Sequence, residues 1–351
     1  MSEINFGIIG AGAIAYSSCR DIGSHPHAEI KGASDPNGQR LNRLQQTFTI
    51  PTTYSSSEAL LENPDIDAVY IAVPNAYHAP IALQALSAGK HVILDKPFAL
   101  NLQQANEVAE MARQQDRVFM LGMNQRFVPG AQAIKSLASQ GDLGELYHAK
   151  ACWMRRSGIP RLGTWFGNKA LAGGGSLLDI GVHLLDLALY LLDNFDPVAV
   201  SGATYTKFGP RGLGEGGWGL SDREGIAFDV DDFATALIKM KGGVTVTLDV
   251  SWALHQKDTN LMNVNLFGTE AGAAVYPPEF YSQAKNSGEY QVLQNPAADR
   301  QYEHNSRFYN FINSILGEEE PCVTIEQALA VQSIIDGIYE SCQSGREVRF
   351  A

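Results

Sequence analysis

The apolar positions in the first third of the chain fall into short unbroken blocks separated by amphipathic stretches. Residues 4–9, 29–34, 68–73, 91–94 and 118–122 read as strands, and 58–63, 78–88 and 102–114 as helices, with a further helix-capable segment after residue 15. An unbroken apolar strand is covered on both faces. Strands alternating with helices of this length therefore predict a parallel sheet with crossover helices on both sides.

Beyond Gly122 the pattern changes. Residues 124–129 look like a linker into a helix at about 130–140, after which strand-like runs dominate, at 146–155, 198–206, 233–240, 244–252, 263–267 and 273–275. Lys241-Gly242-Gly243 is a hairpin signal between two of them, and helical segments near 306–316 and 324–344 close the chain. The 351 residues are enough for two cores. The expected fold is α/β: a doubly wound parallel sheet over 1–122, then an α+β domain over 123–351 with a large, mostly antiparallel open sheet.

The first block runs into Gly10-Ala11-Gly12-Ala13-Ile14-Ala15, a G-x-G-x-x-A that closes a strand and opens a helix. Gly10 permits the tight turn, Gly12 lets backbone approach a pyrophosphate, and Ala15 allows close packing of helix on strand. Asp35, 20 positions after Ala15, stands at the end of the second strand. There it can accept hydrogen bonds from both adenosine-ribose hydroxyls. The same carboxylate would repel a 2′-phosphate, so NAD is favoured over NADP, although Arg40 and Arg43 follow closely enough to offset part of that repulsion. The turn at Pro74-Asn75 with His78, and the Asp95-Lys96-Pro97 that ends the fourth strand, also lie at the carboxyl edge where such sheets bind ligands.

In the second half the most informative stretch is Gly173-Gly174-Gly175-Ser176, followed by Asp179, His183 and Asp186. Ser176 is placed to cap a helix that is apolar nearly all round. The three ionisable residues at i, i+4 and i+7 would share one face of it. Such a trio is a satisfied buried network, a metal site, or a catalytic acid–base pair in a cleft. No further metal ligands are evident nearby, and no metal is expected. Lys96 supplies the cation that the catalytic reading needs.

Charge narrows the partners. With 26 Lys and Arg against 38 Asp and Glu the chain carries −12, which disfavours nucleic acid and anionic membranes. The longest apolar run, 184–192, is broken by Asp186 and too short to span a bilayer. Four scattered cysteines and no visible signal peptide lead to the expectation of a cytoplasmic protein with reduced thiols. Against this acidic background, residues 148–170 hold Lys150, Arg155, Arg156, Arg161 and Lys169 and no acid, interleaved with Trp153, Trp165 and Phe166. Aromatic and arginine side chains suit sugar rings, hydroxyls or an anionic substituent. Alternatively the arginines pair with the acids between Glu215 and Asp232. His255 ends a strand and could reach a pocket, and the glycine-rich 209–219 reads as a surface loop or a lid.

Taken together, the G-x-G-x-x-A, Pro74-Asn75 with His78, the 89–97 stretch, 124–129 and the Gly173-Gly174-Gly175…Asp179-x-x-x-His183 signature resemble the Gfo/Idh/MocA oxidoreductases over nearly the whole chain. Asp95 departs from the Glu-Lys-Pro usual in that family. The resemblance implies an N-terminal Rossmann domain and hydride transfer between a nicotinamide and a carbinol carbon of a sugar or cyclitol. It implies that His183 takes the hydroxyl proton, Lys96 hydrogen-bonds the same oxygen, and Asp179 orients substrate or histidine. Cofactor contacts are implied for Gly10, Gly12, Ala13, Ile14, Asp35, Pro74, Asn75, His78, Lys96 and Asn124. Substrate contacts are implied for Lys96, Arg126, Arg155, Trp165, Asp179, His183 and His255. It further implies a homodimer or homotetramer formed through the second domain's sheet. Two other readings stay open: an NAD-dependent, redox-assisted glycosidase, and a dinucleotide- or sugar-binding regulator without turnover.

Overall fold

A computed structural model describes residues 3–217, 228–284, 287–297 and 299–350. The chain forms two compact units: Met1–Met123 with Ser306–Leu329, and Asn124–Asn305 with Ala330–Ala351. The division falls near Gly122, but a later segment of chain, 306–329, packs with the first unit.

In the first unit β1 (Ile4–Ile9), β2 (Ala28–Ser34), β3 (Thr52–Tyr54), β4 (Ala68–Ile71), β5 (His91–Leu94) and β6 (Phe119–Leu121) form a parallel sheet in the order β3-β2-β1-β4-β5-β6. This is the strand order of a dinucleotide-binding doubly wound sheet, with its switch point between β1 and β4. The crossovers are α1 (Ala13–Ile22), α2 (Gly38–Phe48), α3 (Ser57–Leu61), α4 (His78–Ser87) and α5 (Leu102–Gln114). All four residues of β4 are fully buried, which explains its unbroken apolar run. The returning segment carries a helix, Arg307–Leu316, whose Phe308 and Phe311 pack edge-on against Tyr70 and Phe6.

The second unit opens with α6 (Pro129–Gln140), which starts on a proline and ends on Gly141 in the left-handed region. Nine strands follow: β7 (Leu146–Arg155), β8 (Pro197–Tyr205), β9 (Phe233–Met240), β10 (Thr245–Ser251), β11 (Asn260–Gly268), β12 (Ala271–Ala274), β13 (Glu279–Gln283), β14 (Tyr290–Gln294) and β15 (Val348–Arg349). They are ordered β14-β13-β12-β11-β7-β10-β9-β8-β15, antiparallel except for β7 beside β10. The register puts Ala149, Ala151, Val246, Leu248, Ala236, Ile238, Val264 and Leu266 on one face, all buried. The opposite face carries Tyr205, Leu237, Leu261 and Phe267, all exposed.

The short helix α7 (Lys169–Ala172) precedes a π-helical turn at Leu177–Gly181, which runs into α8 (Val182–Leu192). The run 169–192 is apolar and long enough to cross a membrane by length and composition, but 83% of its most apolar window is buried inside the protein. In the numbering of the whole chain, Arg307–Leu316 is α9 and Ile325–Ser344 is α10.

Candidate active site

In the first unit the chain leaves β1 at Gly10, whose φ is +102° and whose amide donates to the Ser34 carbonyl at 2.8 Å. A Cβ at this position would overlap the Ala72 carbonyl oxygen at the end of β4. Gly10→Ala is therefore expected to cost at least about 1–3 kcal/mol of stability and to abolish NADH binding, read by denaturant unfolding and fluorescence titration. Gly12 starts α1 in extended conformation with no side chain capping it and no acid in the first turn. A Cβ there would meet nothing within 4 Å. The first amides of α1, including those of Ala13 and Ile14, thus begin beside open space, with the Ile14 side chain 46% exposed. This cradle and its partial positive charge fit a pyrophosphate. Asp35 is fixed by two main-chain amides, Ala11 to Oδ2 and Asn37 to Oδ1, each at 2.7 Å. Each oxygen retains a lone pair for a ribose hydroxyl.

The two turns after β4 and β5 are braced by His78. Its ring is buried, with Nδ1 2.7 Å from the Pro97 carbonyl oxygen and Nε2 3.0 Å from that of Val73. Burial holds its pKa below the usual imidazole value despite these acceptors and Asp95. The imidazole named from the sequence as a cofactor contact is engaged by main chain on both sides. Pro74 is half-buried and Asn75 buried in the short turn just before α4, and the Lys96–Pro97 peptide is cis.

In the second unit the glycine run is explained by what presses on it. A Cβ on Gly174 would strike the Tyr339 hydroxyl, and one on Gly175 the Asp231 main chain. The Asp231 carboxylate takes four donors: Gly175 N–H (2.8 Å) and Tyr339 O–H (2.7 Å) on Oδ1, Leu177 N–H (2.9 Å) and Ser176 O–H (2.8 Å) on Oδ2. Ser176 does not cap the helix as its sequence position suggested. It sits in helical conformation and gives its hydroxyl to Asp231, which does the capping from the segment that leads into β9. Asp231 and Tyr339 are thus structural partners of the site that the sequence reading missed. Their only signal was an acid near the end of the acidic run read as a partner for the arginines of 148–170.

The π-helical turn widens the helix around Asp179, a distortion common at functional positions. It also alters the expected single face. Asp179 and His183 remain half-exposed, whereas Asp186 is fully buried. Asp179 Oδ2 accepts from the indole N–H of Trp252 at 2.9 Å. The His183 ring lies 6.3 Å from that of Trp153, and the Arg155 guanidinium stacks over Trp153 at 4.4 Å. Burial lowers the pKa of Arg155, and the Asp179 carboxylate opposes that shift, so the two charges lie within electrostatic reach. Asp179, His183, Arg155, Trp153 and Trp252 therefore form one cluster. Trp252 is a further member missed from the sequence, where it read only as the end of a strand.

Other positions have different surroundings. Arg126 is fully buried and forms a bidentate pair with Asp186, Nη2 to Oδ1 at 2.6 Å and Nε to Oδ2 at 2.9 Å, beneath the rings of Tyr190 and Phe195. The guanidinium expected to meet substrate is thus engaged inside the unit. Asn124 is exposed at the start of a short turn. Trp165 stacks on its neighbour Phe166 at 3.8 Å, and the exposed His255 packs edge-on against Phe208 at 5.0 Å. Acids between 215 and 232 take main-chain amides: Glu215 that of Leu162, Asp229 that of Lys169, and Asp232 those of Lys207, Phe208 and Gly209. Asp222, Glu224 and the last two residues of the 209–219 loop lie outside the described residues. Among the described residues no cluster of His, Cys, Asp and Glu is arranged for a metal ion.

A doubly wound dinucleotide fold followed by this sheet and its Asp–His helix defines an oxidoreductase. The chain belongs to the Gfo/Idh/MocA family: residues 4–123 match the model described as "Oxidoreductase family, NAD-binding Rossmann fold", and 131–274 match the family's C-terminal domain. D-glucoside 3-dehydrogenase of Escherichia coli (strain K12) is 30% identical over 356 residues, covering 99% of this chain and 97% of the relative. An NAD-binding protein from Listeria innocua superposes with a TM-score of 0.81 at 25% identity, covering 99% of this chain and 97% of the other. Levoglucosan dehydrogenase, solved with NADH and levoglucosan, superposes with a TM-score of 0.84 at 21% identity, with 99% of both chains covered.

Proposed function

We propose that this chain is an NAD-dependent dehydrogenase of a sugar, cyclitol or sugar derivative, acting on a secondary alcohol or its ketone. The observation that carries this reading is the placement of Asp179 and His183 as half-exposed ionisable groups on an otherwise buried helix, beside the Arg155–Trp153 stack. Ionisable groups beside a cleft on such a helix are candidates for chemistry. Sugar dehydrogenases among the relatives support the substrate class.

When bound, the nicotinamide supplies the hydride acceptor at C4. The chain's own residues do the rest. His183 removes the hydroxyl proton, Lys96 donates a hydrogen bond to the same oxygen as charge develops on it, and Asp179, held by Trp252, orients the substrate or the histidine. Trp153 offers an apolar face to a sugar ring, and Arg155 offers hydrogen bonds to hydroxyls. The exposed Tyr205, Leu237, Leu261 and Phe267 support assembly of a homodimer or homotetramer through that sheet face.

The test is a panel of polyols, sugars and sugar acids with NAD and NADP in parallel, read at 340 nm. NADH formation with a neutral sugar or cyclitol is the expected result. Cleavage of an aryl glycoside with no net NADH would favour the redox-assisted glycosidase instead. Asp35→Ala removes two charge-assisted contacts available to the ribose. It is expected to shift the kcat/KM preference from NAD toward NADP by roughly 10–100-fold, the equivalent of about 1.5–3 kcal/mol.

A further inference from the structure

We propose that Arg307, more than two hundred residues along the chain from the sheet edge it serves, is a positioning residue for Lys96 and acts through Asp95. The inference rests on the role given to Lys96 above.

Lys96 follows β5 between two anchored neighbours. On one side the Pro97 carbonyl is held by His78. On the other, Asp95 Oδ1 accepts from Arg307 Nη1 at 2.8 Å and from the Lys96 amide at 3.0 Å, while Oδ2 accepts from the Tyr70 hydroxyl at 2.9 Å. Arg307 is itself fixed. It donates to the Gly122 carbonyl at the end of β6 and, through Nη2, to the Tyr70 hydroxyl at 3.1 Å, and its guanidinium lies 5.0 Å from the Phe308 ring centre. Ser306 caps the first turn of α9 and donates to Asp21 at 2.7 Å, so the helix that presents Arg307 is tied down at its first residue.

The charge balance follows from burial. Removal from water would raise the Asp95 pKa, but Arg307, then Lys96 and the hydrogen bonds outweigh it and hold the carboxyl below its ordinary value. A buried ion pair is a poor device for stability alone, because well-packed apolar residues serve as well. Here the pair fixes the carboxylate whose oxygen receives the amide of the proposed oxygen-binding lysine. Removing Arg307 leaves that carboxylate unbalanced next to the Lys96 ammonium. The turn loses its anchor, and the lysine side chain is drawn to the unbalanced carboxylate.

The test is a double-mutant cycle of R307M and K96A on the best substrate among D-glucose, methyl α-D-glucopyranoside and myo-inositol with NAD. R307M is expected to lower kcat by about 10–100-fold in the wild-type background, as small misplacements of a reacting group do. It should lower kcat by less than about twofold when Lys96 is already alanine, because the two effects are then not additive. R307K should recover part of the loss. A second readout needs no turnover: the acetylation rate of Lys96 by acetic anhydride at pH 8, followed by mass spectrometry. It should fall about threefold in R307M, the scale of a weak ion pair between the ammonium and the unbalanced carboxylate, and return toward wild type in R307K. Should R307M not fold, D95N replaces it in the kinetic cycle, where the same loss of additivity with K96A is expected. Equal kcat losses in the two backgrounds, or unchanged acetylation, would overturn the inference. Full activity of K96A would overturn it together with the role of Lys96, whereas a slow K96A with additive R307M sinks the inference alone.

Discussion

His183→Ala should lower kcat by about 10²–10⁴-fold, the range that loss of a positioned general base produces, while NADH affinity stays at the wild-type value. The side chain stands on α8 directly after the π-helical turn, half-exposed, with the Trp153 ring 6.3 Å away. The effect should therefore appear in turnover rather than in folding. Lys96→Ala should act on the same step with a loss of about 10²–10³-fold, as removal of one donor to a developing oxyanion does. Steady-state kinetics with NADH binding measured separately checks both. Near wild-type turnover in each variant would remove these residues from the chemistry.

Asp186→Asn should be the most destabilising of the conservative substitutions, because it removes the carboxylate charge that faces a guanidinium buried at 0% exposure. Breaking a buried pair from one side costs about 3–5 kcal/mol. Because all four tryptophans lie between positions 153 and 252, and the described ones, Trp153, Trp165 and Trp252, belong to the second unit, tryptophan fluorescence during urea unfolding follows that unit. A large fall in the urea midpoint is expected for D186N. Much of it should be recovered when Arg126→Met is combined with Asp186→Leu, since an apolar pair of similar volume avoids the desolvation of both charges. An unshifted midpoint would show that Arg126 and Asp186 are solvated.

The sequence was most legible where burial and periodicity agreed. The bounds of β5, β7, β9 and α5 follow from their apolar patterns to the residue. It was least legible where an element buries little. In α2 only Leu41 and Leu44 are buried, β3 has three residues, and every residue of β14 is exposed, so none carries an apolar signature. The cofactor turn could be read because its glycines act locally. The candidate residues of the second unit could be read only in part, because Asp179, His183 and Asp186 at i, i+4 and i+7 share one face only in a regular helix. The π-helical turn breaks that spacing, and Asp186 is drawn inward to Arg126. The supports of the site, Asp231 on the glycine run and Arg307 on Asp95, are contacts between residues more than fifty positions apart. No local pattern announces them.

The most direct test of hydride transfer uses the best substrate of the panel, deuterated at its ring carbons, with NAD and one equivalent of enzyme. Mass spectrometry of the reduced cofactor should show one deuterium at nicotinamide C4 for each sugar oxidised. Sugar consumed without deuterium in the cofactor pool, or no reduced cofactor with any member of the panel, would contradict a dehydrogenase acting by direct transfer.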